Sequence, residues 1–323
     1  MENVYKYHQK TIRHPVSFVG VGLHTGIISK LTLKPSVDDR GIYFIRSDVK
    51  TGGNIIDADW RSVSDTRLST NLTNQYGVTV STVEHLMSAL IACGIDCVRI
   101  ELDGPEVPIL DGSSEGFVTS IRSIGVKSMT QKKQRIWITK PLAITDGDKY
   151  AMLLPHSEAR TTVCIDFPET VIGSQCYSTT LDGNDYFDNV AFARTFGFAD
   201  QIDGLKKQGL AKGGSLINAI LIDGNEIVNP EGLRVNNEFA RHKVLDAIGD
   251  LALAGTPIIG HYYAYKAGHA LNQKLLNKLF RETSAWTKMS LEEGSKIFAG
   301  IDENYSDEYI QQTLISMKKV SSL

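Results

Sequence analysis

Residues 238–254 constrain this chain more than any other segment. Val244, Leu245, Ile248, Leu251 and Leu253 spread around the helix that their spacing predicts, so that helix must be buried nearly all round. Asn236 or Asn237 is placed to cap it, and Gly255 with Pro257 to stop it. The same stretch carries His242, Asp246 and Asp250 at spacing i, i+4, i+8, which puts three ionisable side chains on one face. A solvated polar stripe is the ordinary account of such spacing. Buried charges without partners cost too much for that account to hold here. A metal ion or an ion-pair network is therefore expected, with His242 and Asp246 sharing one ion and Asp250 orienting a neighbour.

A second helix is expected over 81–94, where Val83, Leu86, Met87, Leu90 and Ile91 recur at helical spacing and Gly94 ends the run. It opens with Glu84-His85. Ser81-x-x-Glu84 also fits a capping box, in which Glu84 bonds the Ser81 backbone N–H. From this segment alone the structural account is the stronger one. A third His, His269, lies beside Lys266 and Gly268 just after an apolar strand, in an expected loop. Together with the two helices, it would supply the acid that metal-assisted hydrolysis needs.

Around these segments, 29–33 and 41–45 read as strands, as do 97–102, 136–166 and the buried run 216–222. Helices are expected over 114–124 and 201–209, with 173–190 rich in loops. The polar, basic stretch 126–135 reads as a solvated connector and the best domain boundary. At 323 residues the chain suits two domains, expected at 1–127 and 128–285. The remainder, 286–323, is expected as a peripheral tail with a helix over 306–319. Each half carries strands and then a helix with a His beside a charged residue.

Composition excludes several classes. Lys plus Arg number 34 against 37 Asp plus Glu, which argues against a nucleic-acid protein with a broad basic surface. No run approaches the ~18 apolar residues of a membrane span, and MENVYKYHQK lacks the apolar core of a secretory signal. The four cysteines, 93, 97, 164 and 176, match no zinc spacing and are expected as reduced thiols in a cytoplasmic protein.

Two short patterns mislead. Gly112-Ser113-Ser114-Glu115-Gly116 satisfies G-x-S-x-G, but Pro108 and the turn before it give no clean strand, so Ser114 reads as a helix N-cap. Gly20-Val21-Gly22-Leu23-His24-Thr25-Gly26 puts its third glycine one residue late for a dinucleotide loop and leads into a strand.

Taken together, GVGLHTG (20–26), STVEHLMSAL (81–90), GIDCVRIELDGPEVPILDGSS (94–114), ARTFGF (193–198), EFARHKVLDAIGDL (238–251) and AYKAGHALN (264–272) resemble one family. It is UDP-3-O-acyl-N-acetylglucosamine deacetylase, the zinc amidase of lipid A biosynthesis. The segments stand in the family's order from about residue 10 to 285. The resemblance implies an α+β fold of two similar layered domains, each with a small insert, with the site between them and an apolar acyl passage in the second insert. It implies Zn2+ on His85, His242 and Asp246, Glu84 as general base and His269 as general acid. Lys243, Thr195 and Asp250 fall on positions that polarise or orient. Phe196 and Phe198 match positions near the sugar and acyl chain, Phe167 and Lys266 match contacts to the UDP part, and Leu68 is a further substrate-binding position. The substrate is an acylated UDP-amino-sugar, and the implied protein is a cytoplasmic monomer with no stable membrane insertion. Cys97, Gln273 and the loop 168–172 depart from the family pattern, away from the metal set.

Two His and one Asp suit a catalytic zinc site with an open position. Glu84 would take a proton from water, Thr195 and Lys243 would face the oxyanion, and a cationic His269 would protonate the leaving nitrogen. Two rivals remain open from the residues alone. One is a metal-dependent amidase for another small substrate. The other is a non-catalytic binding module for lipid-linked nucleotide sugars.

Overall fold

The computed structural model describes residues 8–181 and 184–299, together with 309, 310 and 312. The alternation in the first half becomes a five-stranded sheet in the order Val16–Val21, Ile28–Pro35, Val98–Leu102, Ile42–Arg46, Ile55–Asp57. Leu33 pairs with Ile100, which pairs in turn with Phe44, and all three are fully buried. One apolar face results, as period-two patterning requires. Helices α1 (Glu84–Ala92) and α2 (Glu115–Ile124) share its core cluster.

The second half builds a seven-stranded sheet on Ile258–Tyr265, which pairs with Lys149–Leu154, Ala159–Phe167 and Arg135–Ile138. Four further helices occupy this half: α3 (Asp185–Asn189), α4 (Ala199–Lys207), α5 (Glu238–Ala252) and α6 (His269–Arg281). Short three-stranded inserts decorate each half. One comprises Val63–Asp65, Asn71–Thr73 and Thr79–Val80; the other comprises Phe196–Phe198, Ile220–Asp223 and Glu226–Ile227, with α4 beside it. The architecture is α+β, as expected.

Several expectations need correcting. The basic stretch 126–135 is no loose connector, because Val126–Lys132 pairs antiparallel with His8–Ile12. Lys133 is buried, and its ammonium lies 2.6 Å from Asp96. Only 220–222 of the expected buried run 216–222 are strand, while Leu216 and Ile217 are exposed. The supposed loop 173–190 contains the strand Gly173–Thr180 as well as α3. Cys164 and Cys176 stand directly opposite one another on paired strands and form a disulfide; Cys93 and Cys97 remain free.

The end of the chain is not merely peripheral. Trp286–Met289 adds a strand beside Arg135–Ile138, and α7 (Leu291–Ile297) follows it. Phe298 then stacks on the fully buried Trp137, with ring centroids 5.0 Å apart. The expected helix 306–319 lies largely outside the described residues, of which Tyr309, Ile310 and Gln312 are helical.

Candidate active site

Helix α1 is buried from Glu84 to Leu90 because it packs on α5 and α2 and shares the core of its own sheet. The crossing of α1 and α5 is unusually close. A Cβ on Gly249 would sit 2.0 Å from the Glu84 carbonyl oxygen, so only glycine permits this approach. It is the close approach that joins His85 to the α5 stripe.

His242 and Asp246 share a face of α5, with His242 Nε2 3.3 Å from Asp246 Oδ1. His85 Nε2 approaches the same oxygen at 3.5 Å, its ring perpendicular to that of His242 with centroids 5.0 Å apart. One ligand atom from each of these three side chains lies within 4.8 Å of the other two. The His242 Nδ1–H donates to the Ala193 carbonyl at 3.0 Å, which leaves Nε2 with its lone pair. Burial pushes the His242 imidazolium down to about 3, so the ring is neutral as a ligand must be. Burial would raise the Asp246 carboxyl, but His242 and Lys243 outweigh it and hold the group well below the usual range. Asp246 Oδ2 accepts from Lys243 Nζ at 2.8 Å, while the buried Oδ1 has no hydrogen-bond partner among the described residues. A buried carboxylate oxygen without a hydrogen bond, set between two imidazole nitrogens while Lys243 holds the other oxygen, fits a divalent cation in both donor type and spacing.

Glu84 and His269 stand beside this set. The Glu84 side chain does not close a capping box. Ser81 N–H donates to Pro105 instead, and Glu84 Oε2 accepts from the Thr70 N–H at 3.0 Å. Burial raises the Glu84 carboxyl above its ordinary range. His269 is not in a loop. It is the first residue of α6, with Gly268 at the N-cap. Its Nε2 lies 3.8 Å from Glu84 Oε1, and its Nδ1–H donates to Asp250 Oδ2 at 2.8 Å. Burial alone would lower the imidazolium, but the Asp250 carboxylate overcomes it and raises the group to about 9.

A cavity of about 320 Å³ opens onto these groups and is also lined by Thr195, Phe196, Leu68 and Lys266. Phe167 and Phe198 do not line it, but each packs near the Phe196 ring with centroids 6.3 Å away. Lys266, at φ 53°, is held by Asp148 at 3.0 Å and Asp166 at 3.1 Å. Asp250 does not face the cavity, since it lies behind His269. Ser114 is no nucleophile; its buried hydroxyl contacts Tyr186 and the Ala191 carbonyl. Nor do Asn237 and Ser114, which precede α5 and α2, cap those helices with their side chains.

Reasoning from the residues missed three side chains here. His24 lines the cavity, buried and with Nε2 unpartnered among the described residues. Its motif GVGLHTG was visible, but the role of the ring was not. Asn272 donates to Asp250 Oδ2 at 2.8 Å. Thr70 touches both Glu84 and Asp250, and no local pattern marked it.

Residues 9–281 match the family model described as UDP-3-O-acyl N-acetylglycosamine deacetylase. The chain is similar to the UDP-3-O-acyl-N-acetylglucosamine deacetylase of Myxococcus xanthus, at 47% identity over 280 residues, covering 87% of this chain and 88% of that protein. The protein of that name from Geotalea uraniireducens is 45% identical over 283 residues, covering 88% and 92%. That from Acidithiobacillus ferrooxidans is 46% identical over 280 residues, covering 86% and 91%.

Proposed function

Because the chain belongs to the UDP-3-O-acyl-N-acetylglucosamine deacetylase family, we propose that zinc on His85, His242 and Asp246, with Glu84 as base and His269 as acid, is how it removes the N-acetyl group of its substrate. The reaction is hydrolysis of UDP-3-O-acyl-N-acetylglucosamine in lipid A biosynthesis, releasing acetate and the free 2-amino sugar nucleotide. The family is metal-dependent, and the choice of zinc is part of the proposal. The observation that carries it is the bare Asp246 oxygen between the two imidazole nitrogens, with Glu84 and His269 alongside. Membership of the family removes both rivals, the amidase for another substrate and the non-catalytic binding module.

A zinc ion there supplies a Lewis acid for the amide carbonyl and makes water far more acidic, towards a pKa of ~7. Glu84, fixed through Oε2, presents Oε1 to take the proton from the attacking water. Lys243 and Thr195 border the cavity where the carbonyl oxygen gains charge and can donate to it without reorganisation. An amide nitrogen leaves only once protonated. His269 Nε2 carries that proton, and Asp250 favours the charged ring.

Phe196 and Phe198 form the apolar side towards the sugar and acyl chain, Leu68 is a further substrate contact on the cavity wall, and Phe167 serves the UDP part. Lys266 offers a cation to the nucleotide end. Two domains are the division we favour, 1–127 and a second that starts at 128 and runs past 285 to take in the strand Trp286–Met289 and Phe298 of the stretch expected as a tail. One sheet is built wholly before residue 103 and the other wholly after 134, although the strand Val126–Lys132 runs through the boundary itself. Among the described residues no helix is long and apolar enough to cross a membrane, and a cytoplasmic monomer is the proposed working form.

The test couples metal analysis to acetate release from the acylated UDP-sugar. About one zinc per chain is expected. His85→Ala, His242→Ala and Asp246→Ala should each lose most of the metal and the activity while the fold survives. A full zinc complement in all three variants would sink the assignment.

A further inference from the structure

Thr70 lies just before the strand Asn71–Thr73 and is almost fully buried, at 2% exposure. All of its polar groups are engaged. Its N–H donates to Glu84 Oε2 at 3.0 Å, and its hydroxyl donates to Asp250 Oδ1 at 2.5 Å. Its carbonyl accepts from the Val83 N–H at 3.2 Å, at the start of α1. One residue of the first insert therefore grips a carboxylate on α1 and a carboxylate on α5.

The choice of oxygens matters more than the number of bonds. Thr70 takes Glu84 by Oε2, and the remaining Oε1 lies 3.8 Å from His269 Nε2. It takes Asp250 by Oδ1, and the remaining Oδ2 accepts from His269 Nδ1 at 2.8 Å. Thr70, Glu84, His269 and Asp250 thus close a ring of contacts in which each carboxylate is held by one oxygen and turned towards the imidazole by the other. A threonine serving only to shape its turn would not need its hydroxyl on Asp250.

We propose that Thr70 is a positioning residue for the deacetylation, fixing the orientation of Glu84 and of the Asp250–His269 pair relative to one another. The inference rests on Glu84 and His269 being the base and acid. Without the hydroxyl, Asp250 keeps Asn272 on Oδ2 but loses its hold on Oδ1. The carboxylate can then turn about its last torsion, and His269 turns with it. Proton transfer tolerates little misplacement, so the loss should appear in kcat rather than in binding.

The experiment compares Thr70→Val, which keeps the shape and the backbone N–H, with Thr70→Ser, which keeps the hydroxyl. In Thr70→Val the expected result is a kcat lower by roughly 10- to 100-fold, the cost of one hydrogen bond to a charged group. KM and zinc content should stay close to wild type, and Thr70→Ser should recover most of the loss. If the valine chain does not fold, Thr70→Ala against Thr70→Ser carries the same contrast. A double-mutant cycle with Asp250→Asn completes the test, because a residue acting through Asp250 should cost little once that carboxylate is gone. An unchanged kcat in a folded, zinc-loaded Thr70→Val chain overturns the inference. So does an equal loss in the serine variant, or full additivity in the cycle. Glu84→Gln and His269→Ala run alongside as controls. If these turn over at near wild-type rates, it is the base-and-acid reading that has failed.

Discussion

Replacing Gly249 by alanine adds one methyl group to the closest point between α1 and α5. That carbon would lie 2.0 Å from the Glu84 carbonyl oxygen, 2.7 Å from its carbon and 2.9 Å from its Cα. Ordinary contact begins at about 3.4 Å, and all three atoms are backbone that cannot swing aside. The two helices must therefore part by about 1 Å or more at the crossing. Overpacking of this kind costs ~1–3 kcal/mol, offset in part by the ~1 kcal/mol that alanine gains over glycine inside a helix. A fall in Tm of a few degrees is expected at this chain length. The functional cost should be larger, because His85 and Glu84 move with α1 while His242, Asp246 and Asp250 move with α5. A displacement of about 1 Å can cost ~10²-fold in rate, and the three ligand atoms would no longer converge on one ion. The assay is kcat/KM for acetate release, with zinc content by mass spectrometry and Tm by calorimetry on the same preparation. A drop of at least ~10²-fold with weakened zinc retention is expected. Wild-type turnover and full zinc in Gly249→Ala would refute the claim that this contact sets the site.

Glu84→Gln should keep zinc and fold, since its amide oxygen can still accept the Thr70 N–H, yet lose roughly 10²–10⁴-fold in catalysis; near-normal turnover would remove the base. The rate of the wild-type protein should be bell-shaped in pH, with an alkaline limb that requires protonated His269. With that ring raised to about 9 by Asp250, Asp250→Asn should move the alkaline limb to lower pH, and His269→Ala should cost much more; an unchanged profile in His269→Ala would exclude it as the acid. The same ring has a stability signature. Its contribution is fully present below the ordinary value of 6.5 and is lost as pH rises through about 9, so the melting temperature should decline across that window more steeply in wild type than in Asp250→Asn.

The amino-acid order alone determined the features with the clearest short period. The stripe His242, Asp246, Asp250 inside an apolar helix, the helix beginning near Glu84, and the alternating strands around Leu31 and Phe44 all follow from side-chain spacing along one element. The linear motifs, through the family resemblance they carry, added the roles proposed for His85 and His269. What no local pattern could supply was the partner of each element. The stretch 126–135 looked solvated because it is basic, yet Val126–Lys132 found His8–Ile12, and Lys133 found Asp96. Cys164 and Cys176 look unrelated until the register of two strands sets them opposite. Trp286–Met289 looked peripheral until it joined Arg135–Ile138. At the site, only the tertiary structure brought α1 against α5 at Gly249 and set Thr70 between Glu84 and Asp250. The physical reason is common to all of these. Helical and strand periodicity arises from backbone geometry within one segment. Pairing, close approach and hydrogen bonding between distant segments depend on which groups are left to be satisfied once those segments pack.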